Sequence, residues 1–217
     1  RELASCLLCM GCCMYNLEQN IPAEIRGCTA FAYEKNGRGI YGRNNDLPPY
    51  LKDGCCTELY LPDRGPRFQM TTSSFINGEE GINEHGLAAA MTFVMTDPDS
   101  IRPGFNSCFA VRYLLEKAAS VEHALALLME LPIASNCNIL VADGTGRMAV
   151  AECTPRKKRI REALQLGEGK IVCAVNGFTS PEMRPYDTTV GNGYHSARRY
   201  QVVLDSFSSH FKGDLID

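Results

Sequence analysis

The hydrophobic pattern changes period several times along the chain. Cys28–Tyr33 is short, apolar and rich in strand formers, and Gly39–Arg43 reads as its return strand. Between them Lys35-Asn36-Gly37-Arg38 predicts a hairpin turn, because Asn-Gly tolerates the positive φ of a tight turn. Further strands are predicted at Thr57–Leu61, Phe68–Thr72 and Gly86–Val94, with a turn at Asn83–Gly86. The spacing then becomes helical. Phe109, Val111, Leu114, Leu115 and Ala118 fit one face; Val121, Ala124, Leu125, Leu128 and Met129 make a second apolar stripe. Ser120 predicts the N-cap of the second helix, Glu122 suits its first turn, and Pro132 ends it. Strands return at Cys137–Ala142, Arg147–Glu152 and Lys170–Val175, and residues 196–211 read as a helix. Strands, two helices, strands, helix is an α+β order with largely antiparallel sheets. No internal repeat is visible. Residues 1–27 differ in composition from the rest and are interrupted at Pro22, so they read as a leader ahead of a domain at 28–217.

Composition narrows the function. The chain has 217 residues, 45% hydrophobic and 22% charged, with a net charge of −3. That is globular and carries no basic excess for nucleic acid. No apolar run reaches the ~18–20 residues of a membrane span. The eleven cysteines are an odd, irregularly spaced set, and no Asn-X-Ser/Thr sequon occurs. Both facts favour free thiols in a reducing, cytoplasmic setting. Cys6, Cys9, Cys12 and Cys13 in the leader offer an alternative, a zinc-binding, non-catalytic protein, although adjacent Cys12 and Cys13 make a compact tetrahedral site awkward. Gly144-Thr-Gly146 lies between two strands and reads as a hairpin, not a nucleotide loop. The basic run Arg156–Arg159 with Arg161 reads as a solvated strand end. The four histidines belong to no Gly-x-Ser-x-Gly or His-Glu-x-x-His signature.

One cysteine stands apart. Cys28 follows Gly27 and begins a strand; Cys28-Thr29 is followed, one hairpin later, by Gly42-Arg43-Asn44-Asn45-Asp46. Further on come Gly81-Ile-Asn-Glu-His-Gly-Leu87, Leu115–Glu122, Ile139–Gly146, Val175-Asn176 and Ser196-Ala-Arg-Arg199-Tyr200. In this order the pieces resemble the N-terminal-nucleophile hydrolases of the superfamily that holds choloylglycine hydrolases, penicillin V acylases and acyl-CoA:6-aminopenicillanic acid acyltransferases. The resemblance covers about residues 28–205. It implies a four-layer αββα sandwich with two mainly antiparallel sheets.

The resemblance also implies a chemistry. A terminal cysteine carries its own base, an α-amino group of pKa ~7.7–8.0. That amine takes the thiol proton and later passes it to the leaving amine. An internal Cys28 has only an amide nitrogen, so the Gly27–Cys28 bond must first be cut, by Cys28 itself, with residues 1–27 as a propeptide. Cys28 is then the nucleophile. Arg43 favours its thiolate, Asp46 orients the freed amine, Asn176 donates its side-chain NH to the oxyanion, and Arg199 orders the site through carboxylates. The implied activity is hydrolysis of a linear, non-peptide C–N amide through a Cys28 thioester, with no cofactor and a small acyl amide as partner. Acyl transfer through the same thioester is the alternative. Oligomeric state is not readable, and a homo-oligomer is left open. Two departures qualify the match. Bile-salt-hydrolysing members often carry Asn where this chain has Thr92, which argues against a bile salt and leaves Thr92 a backbone NH to offer the oxyanion or substrate. Family chains also continue into further strands beyond the last helix, whereas this sequence stops at Asp217.

Overall fold

The computed structural model describes residues 27–46, 49–73, 76–189 and 193–210. The leader residues 1–26, including the four leader cysteines, lie outside the described residues. Among the described residues eleven strands form two antiparallel sheets. The smaller has the order β10-β11-β1-β2 and the larger runs β3-β4-β5-β6-β7-β8-β9. The strands are β1 (Gly27–Lys35), β2 (Arg38–Asp46), β3 (Cys56–Tyr60), β4 (Phe68–Thr72), β5 (Glu80–Asn83), β6 (Ala88–Phe93), β7 (Cys137–Ala142), β8 (Met148–Cys153), β9 (Lys158–Glu162), β10 (Leu164–Leu166) and β11 (Gly169–Ala174). Helices α1 (Ser107–Lys117) and α2 (Val121–Glu130) pack on the large sheet, and α3 (Ser196–Asp205) covers β1 and β11 of the small one. This is the αββα order.

Local chemistry explains each piece. Asn36 and Gly37 have φ of 55° and 76°, so the predicted turn closes β1 on β2 with two residues. Ser120 accepts the amide of His123 at 3.2 Å, as its N-cap position predicts, and Asn106 does the same for α1 through Phe109 at 2.9 Å. The sheets meet over small residues, among them Ala30, Ala32, Ala90, Val150, Val172 and Ala174. The larger core lies under α1 and α2, around Leu114, Leu115, Leu128, Ile139 and Met70.

Three predicted elements differ from the structure. Residues 80–93 make two strands, β5 and β6, joined at Gly86 with φ 80°. The basic run leads into β9, an edge strand of the large sheet among the described residues. Its charges are engaged: Lys158 Nζ donates to Leu128 O at 2.7 Å and Met129 O at 3.0 Å, capping the end of α2, and Arg159 pairs with Glu182 at 3.2 Å. The last helix ends at Asp205 and continues as one turn of π-helix, Ser206–His210. Among the described residues no helix is long and apolar enough to cross a membrane, and no three His, Cys, Asp or Glu side chains cluster for a metal.

Candidate active site

The β1–β2 ladder builds the site by register. Gly27 lies opposite Asp46, Cys28 opposite Asn45 and Ala30 opposite Arg43. Directly opposed residues share a face, and faces alternate along a strand. Cys28, Asn45 and Arg43 therefore point together toward the large sheet. Gly27, Thr29 and Asp46 take the other face, under α3. Cys28 is 4% exposed. Its Sγ lies 3.3 Å from Arg43 Nη2 and 3.6 Å from Asn45 Oδ1. Arg43 is anchored by Nε on Met91 O at 3.0 Å, so the guanidinium bridges the two sheets at the thiol.

Electrostatics distinguishes this thiol. Burial works against the Arg43 charge, but Cys28, Glu80, Glu79 and Tyr41 more than offset it, and the guanidinium holds its proton more tightly than usual. A guanidinium at hydrogen-bond distance favours a thiolate. By contrast burial pushes the Cys173 thiol up to about 12. A hydrogen bond with Cys153 and burial raise that of Cys137 well above the ordinary thiol value. Those cysteines act as small core residues.

The Gly27–Cys28 peptide is clamped from the α3 side. The Cys28 amide donates to Asn176 Oδ1 at 2.6 Å. Arg199 donates to Cys28 O, to Thr29 Oγ1 at 2.7 Å, to Asn176 Oδ1 at 2.9 Å and to Tyr194 O at 2.8 Å. A Cβ on Gly27 would lie 2.9 Å from Arg199 Nη2 and 3.1 Å from Asn176 Oδ1. Glycine is thus the residue that lets the clamp close. Gly27→Ala must push Arg199 and Asn176 aside. Because misplacement of about 1 Å can cost 10²-fold in rate, the self-cleavage expected at this bond from the family resemblance should slow by roughly tenfold or more, read as intact mass against time. Cleavage at the wild-type rate would show that the clamp is not needed.

The ladder and the clamp bring together all five predicted catalytic residues, but three partners differ from expectation. Asn176 offers its oxygen, not its nitrogen, to the Cys28 peptide; Nδ2 is taken by Phe93 O at 3.0 Å. With the Gly27–Cys28 bond intact its amide holds a peptide N–H, which requires an acceptor. Arg199 binds carbonyls, a hydroxyl and an amide oxygen rather than carboxylates, because α3 lays it along the β1 backbone. Burial weakens its hold on its proton, and Asp46 and Cys28 oppose that shift. The Thr92 hydroxyl donates to Val175 O at 2.8 Å, between the sheets. Asp46 is exposed at the end of β2, beside the Gly27–Cys28 peptide.

Other residues of the site were not singled out from sequence. Asn45 and Tyr41 sit two positions either side of Arg43, and that period was the available signal. Tyr41 donates to Glu80 at 3.3 Å; burial and Glu80 raise its pKa well above the usual phenol value. Glu79 is 4% exposed, its carboxylate bound by Ser73 N at 2.9 Å and Ser73 Oγ at 2.7 Å. Burial raises its pKa, against the pull of Ser73 and Arg43. Nothing in the local sequence announces it.

Two stacked antiparallel sheets between helical layers, with a cysteine at the head of a central strand of one sheet, define an N-terminal-nucleophile fold. Residues 32–214 match the family model of acyl-coenzyme A:6-aminopenicillanic acid acyl-transferase, and the chain belongs to that family. The match begins after Cys28. Two solved structures share the fold. The Caenorhabditis elegans ortholog of N-acylethanolamine-hydrolyzing acid amidase superposes with a TM-score of 0.61 at 15% identity, over 85% of this chain and 81% of that one. A mutant conjugated bile acid hydrolase from Clostridium perfringens gives 0.55 at 16% identity, over 86% and 74%. Penicillin V acylase from Agrobacterium tumefaciens gives 0.37 at 19% identity over 62% of this chain, which spans 41% of that protein. No curated protein matches the chain.

Proposed function

We propose that this protein is a cysteine amidohydrolase that cleaves a linear, non-peptide C–N amide through a thioester on Cys28, after self-removal of residues 1–27. The observation that carries the reading is the double hold on one residue. Cys28 has its thiol 3.3 Å from the half-buried Arg43 and its peptide nitrogen 2.6 Å from Asn176. In processing, the Cys28 sulfur adds to the Gly27 carbonyl and the C–N bond breaks, giving a Gly27 thioester and a free Cys28 amine. Water hydrolyses the thioester, releasing a Gly27 carboxylate and the thiol. The freed amine, beside Asp46, then takes the thiol proton and delivers it to the leaving amine of a substrate. Asn176 acts on the oxyanion once its Phe93 bond exchanges, a contribution typically of ~2.7–4 kcal/mol. The substrate is a small acyl amide, and a reducing compartment such as the cytoplasm keeps the thiol available.

The family match supports a second outcome for the same thioester, capture by an amine instead of water. The test is intact mass of the purified chain over time, followed by product analysis on a panel of acyl amides with and without an added primary amine. Loss of residues 1–27 and release of free acid are expected. New amide exceeding the uncatalysed amount at the expense of acid would make the protein an acyltransferase. A chain that keeps its full mass and turns over no amide would overturn both readings.

A further inference from the structure

One row of the large sheet that faces the small sheet is polar. Thr92 of β6, Asn138 of β7 and Glu152 of β8 are consecutive partners in register across the large sheet. They are 1%, 1% and 0% exposed. The next row on the same face is Ala90, Leu140 and Val150, all core. Three buried polar side chains in line are costly unless bonded, so their partners identify their purpose.

All three bind the same short segment. Asn138 Nδ2 donates to Val175 O at 2.9 Å and to Gly177 O at 3.2 Å, the two carbonyls that flank Asn176. It also reaches Thr92 Oγ1 at 3.0 Å, and that hydroxyl donates to Val175 O at 2.8 Å. The Glu152 carboxylate accepts the amides of Thr179 at 2.9 Å and Ser180 at 3.1 Å. Gly177 N closes on Val175 O at 3.0 Å, so Asn176 projects from the tip of a tight turn just past the end of β11. The turn leaves its carbonyls without strand partners, and the row supplies them. Asn138 is suited to this by its NH₂ group, which donates to both carbonyls.

We propose that Thr92, Asn138 and Glu152 form a positioning device that sets the Asn176 amide against the Cys28 peptide and, after processing, against the substrate carbonyl. The inference rests on the Cys28 reading and gives Thr92 a part different from the oxyanion contact its sequence position suggested. The row acts through Asn176, so its loss should matter only while Asn176 is present.

The experiment compares Thr92→Val, Thr92→Ser and Asn138→Ala, alone and with Asn176→Ala. Rates of residue 1–27 loss and of hydrolysis of a fluorogenic N-acyl aminocoumarin are measured, with thermal melts to establish folding. Thr92→Val and Asn138→Ala should each slow both reactions about tenfold or more in the parent, on the scale of a misplaced catalytic group, and Thr92→Ser should keep the parent rates. On the Asn176→Ala background the same changes should cost less than about twofold, since groups acting in one chain of contacts are non-additive. Equal losses on both backgrounds, in folded protein, would overturn the positioning role while leaving the Cys28 reading intact. If Asn138→Ala does not fold, the Thr92 pair decides the question by itself. A parent chain that neither processes nor hydrolyses any acyl amide, with Cys28→Ala indistinguishable from it, would remove the reading and the inference together.

Discussion

Cys28→Ala should leave the chain at full length indefinitely and reduce amide turnover to background, a loss of about 10⁴-fold or more on the scale of removed catalytic nucleophiles. Two consequences follow from one atom because in the proposed mechanism the sulfur serves both reactions: it attacks the Gly27 carbonyl once, and then each substrate. The fold should survive. Cys28 is a small residue at the edge of the core, and Arg43 keeps Met91 O at 3.0 Å and Asn45 Oδ1 at 3.5 Å when the thiol is gone. A melt close to that of the parent, beside unprocessed mass and absent turnover, is the expected result. Turnover at the parental rate would end the assignment, whatever the fold. Processing retained with turnover lost would mean that another protease makes the cut and that Cys28 serves only the substrate.

What the sequence discloses of this site depends on how local each feature is. The Asn36-Gly37 turn fixes the β1–β2 register, and the register alone brings Arg43 and Asn45 to the thiol and Asp46 to the Gly27 peptide. Two adjacent residues therefore carry much of the site, and they are legible because backbone sterics dictate where Asn-Gly can go. The caps at Asn106 and Ser120 are local in the same sense, although only Ser120 was foreseen. β9 was obscured because a strand whose lysine and arginines bind a helix end, a surface glutamate and a buried carboxylate has the composition of a solvated run. The orientation of Asn176 was hidden because an amide offers a donor and an acceptor on one stem. Only the three-dimensional partners, Arg199 and the Cys28 amide on one side and Phe93 O on the other, decide which end faces Cys28. The polar row is the extreme case. Asn138 lies within Cys-Asn-Ile-Leu-Val-Ala, an ordinary strand by pattern, and its partners are 37 and 39 residues away. Resemblance to a family carried the Cys28, Arg43, Asp46, Asn176 and Arg199 positions, and gave no information about what holds them.

Arg161→Met should be the most destabilising single change in this scaffold away from Cys28, about 3–5 kcal/mol by the measured cost of orphaning a buried charge. Glu152 is fully buried and Arg161 is 12% exposed, and their Nε–Oε1 distance is 3.3 Å. The guanidinium also donates to Cys173 O, so it ties β9 of the large sheet to β11 of the small one next to Asn176. Methionine fills the stem volume and removes the charge. Glu152 would then keep only the amides of Thr179 and Ser180 against its full charge. In a domain of this size each kcal/mol moves Tm by roughly 2–4 °C, so a drop of about 6–20 °C is expected. Arg161→Met with Glu152→Gln separates the causes. Glutamine keeps an acceptor for the two amides and carries no charge, so the double variant should melt above the single one, although it loses the same arginine. If the double variant is the less stable of the two, then packing of the Arg161 stem dominates, not the orphaned charge. The comparison bears directly on the site, because the carboxylate at stake anchors the segment from which Asn176 reaches Cys28.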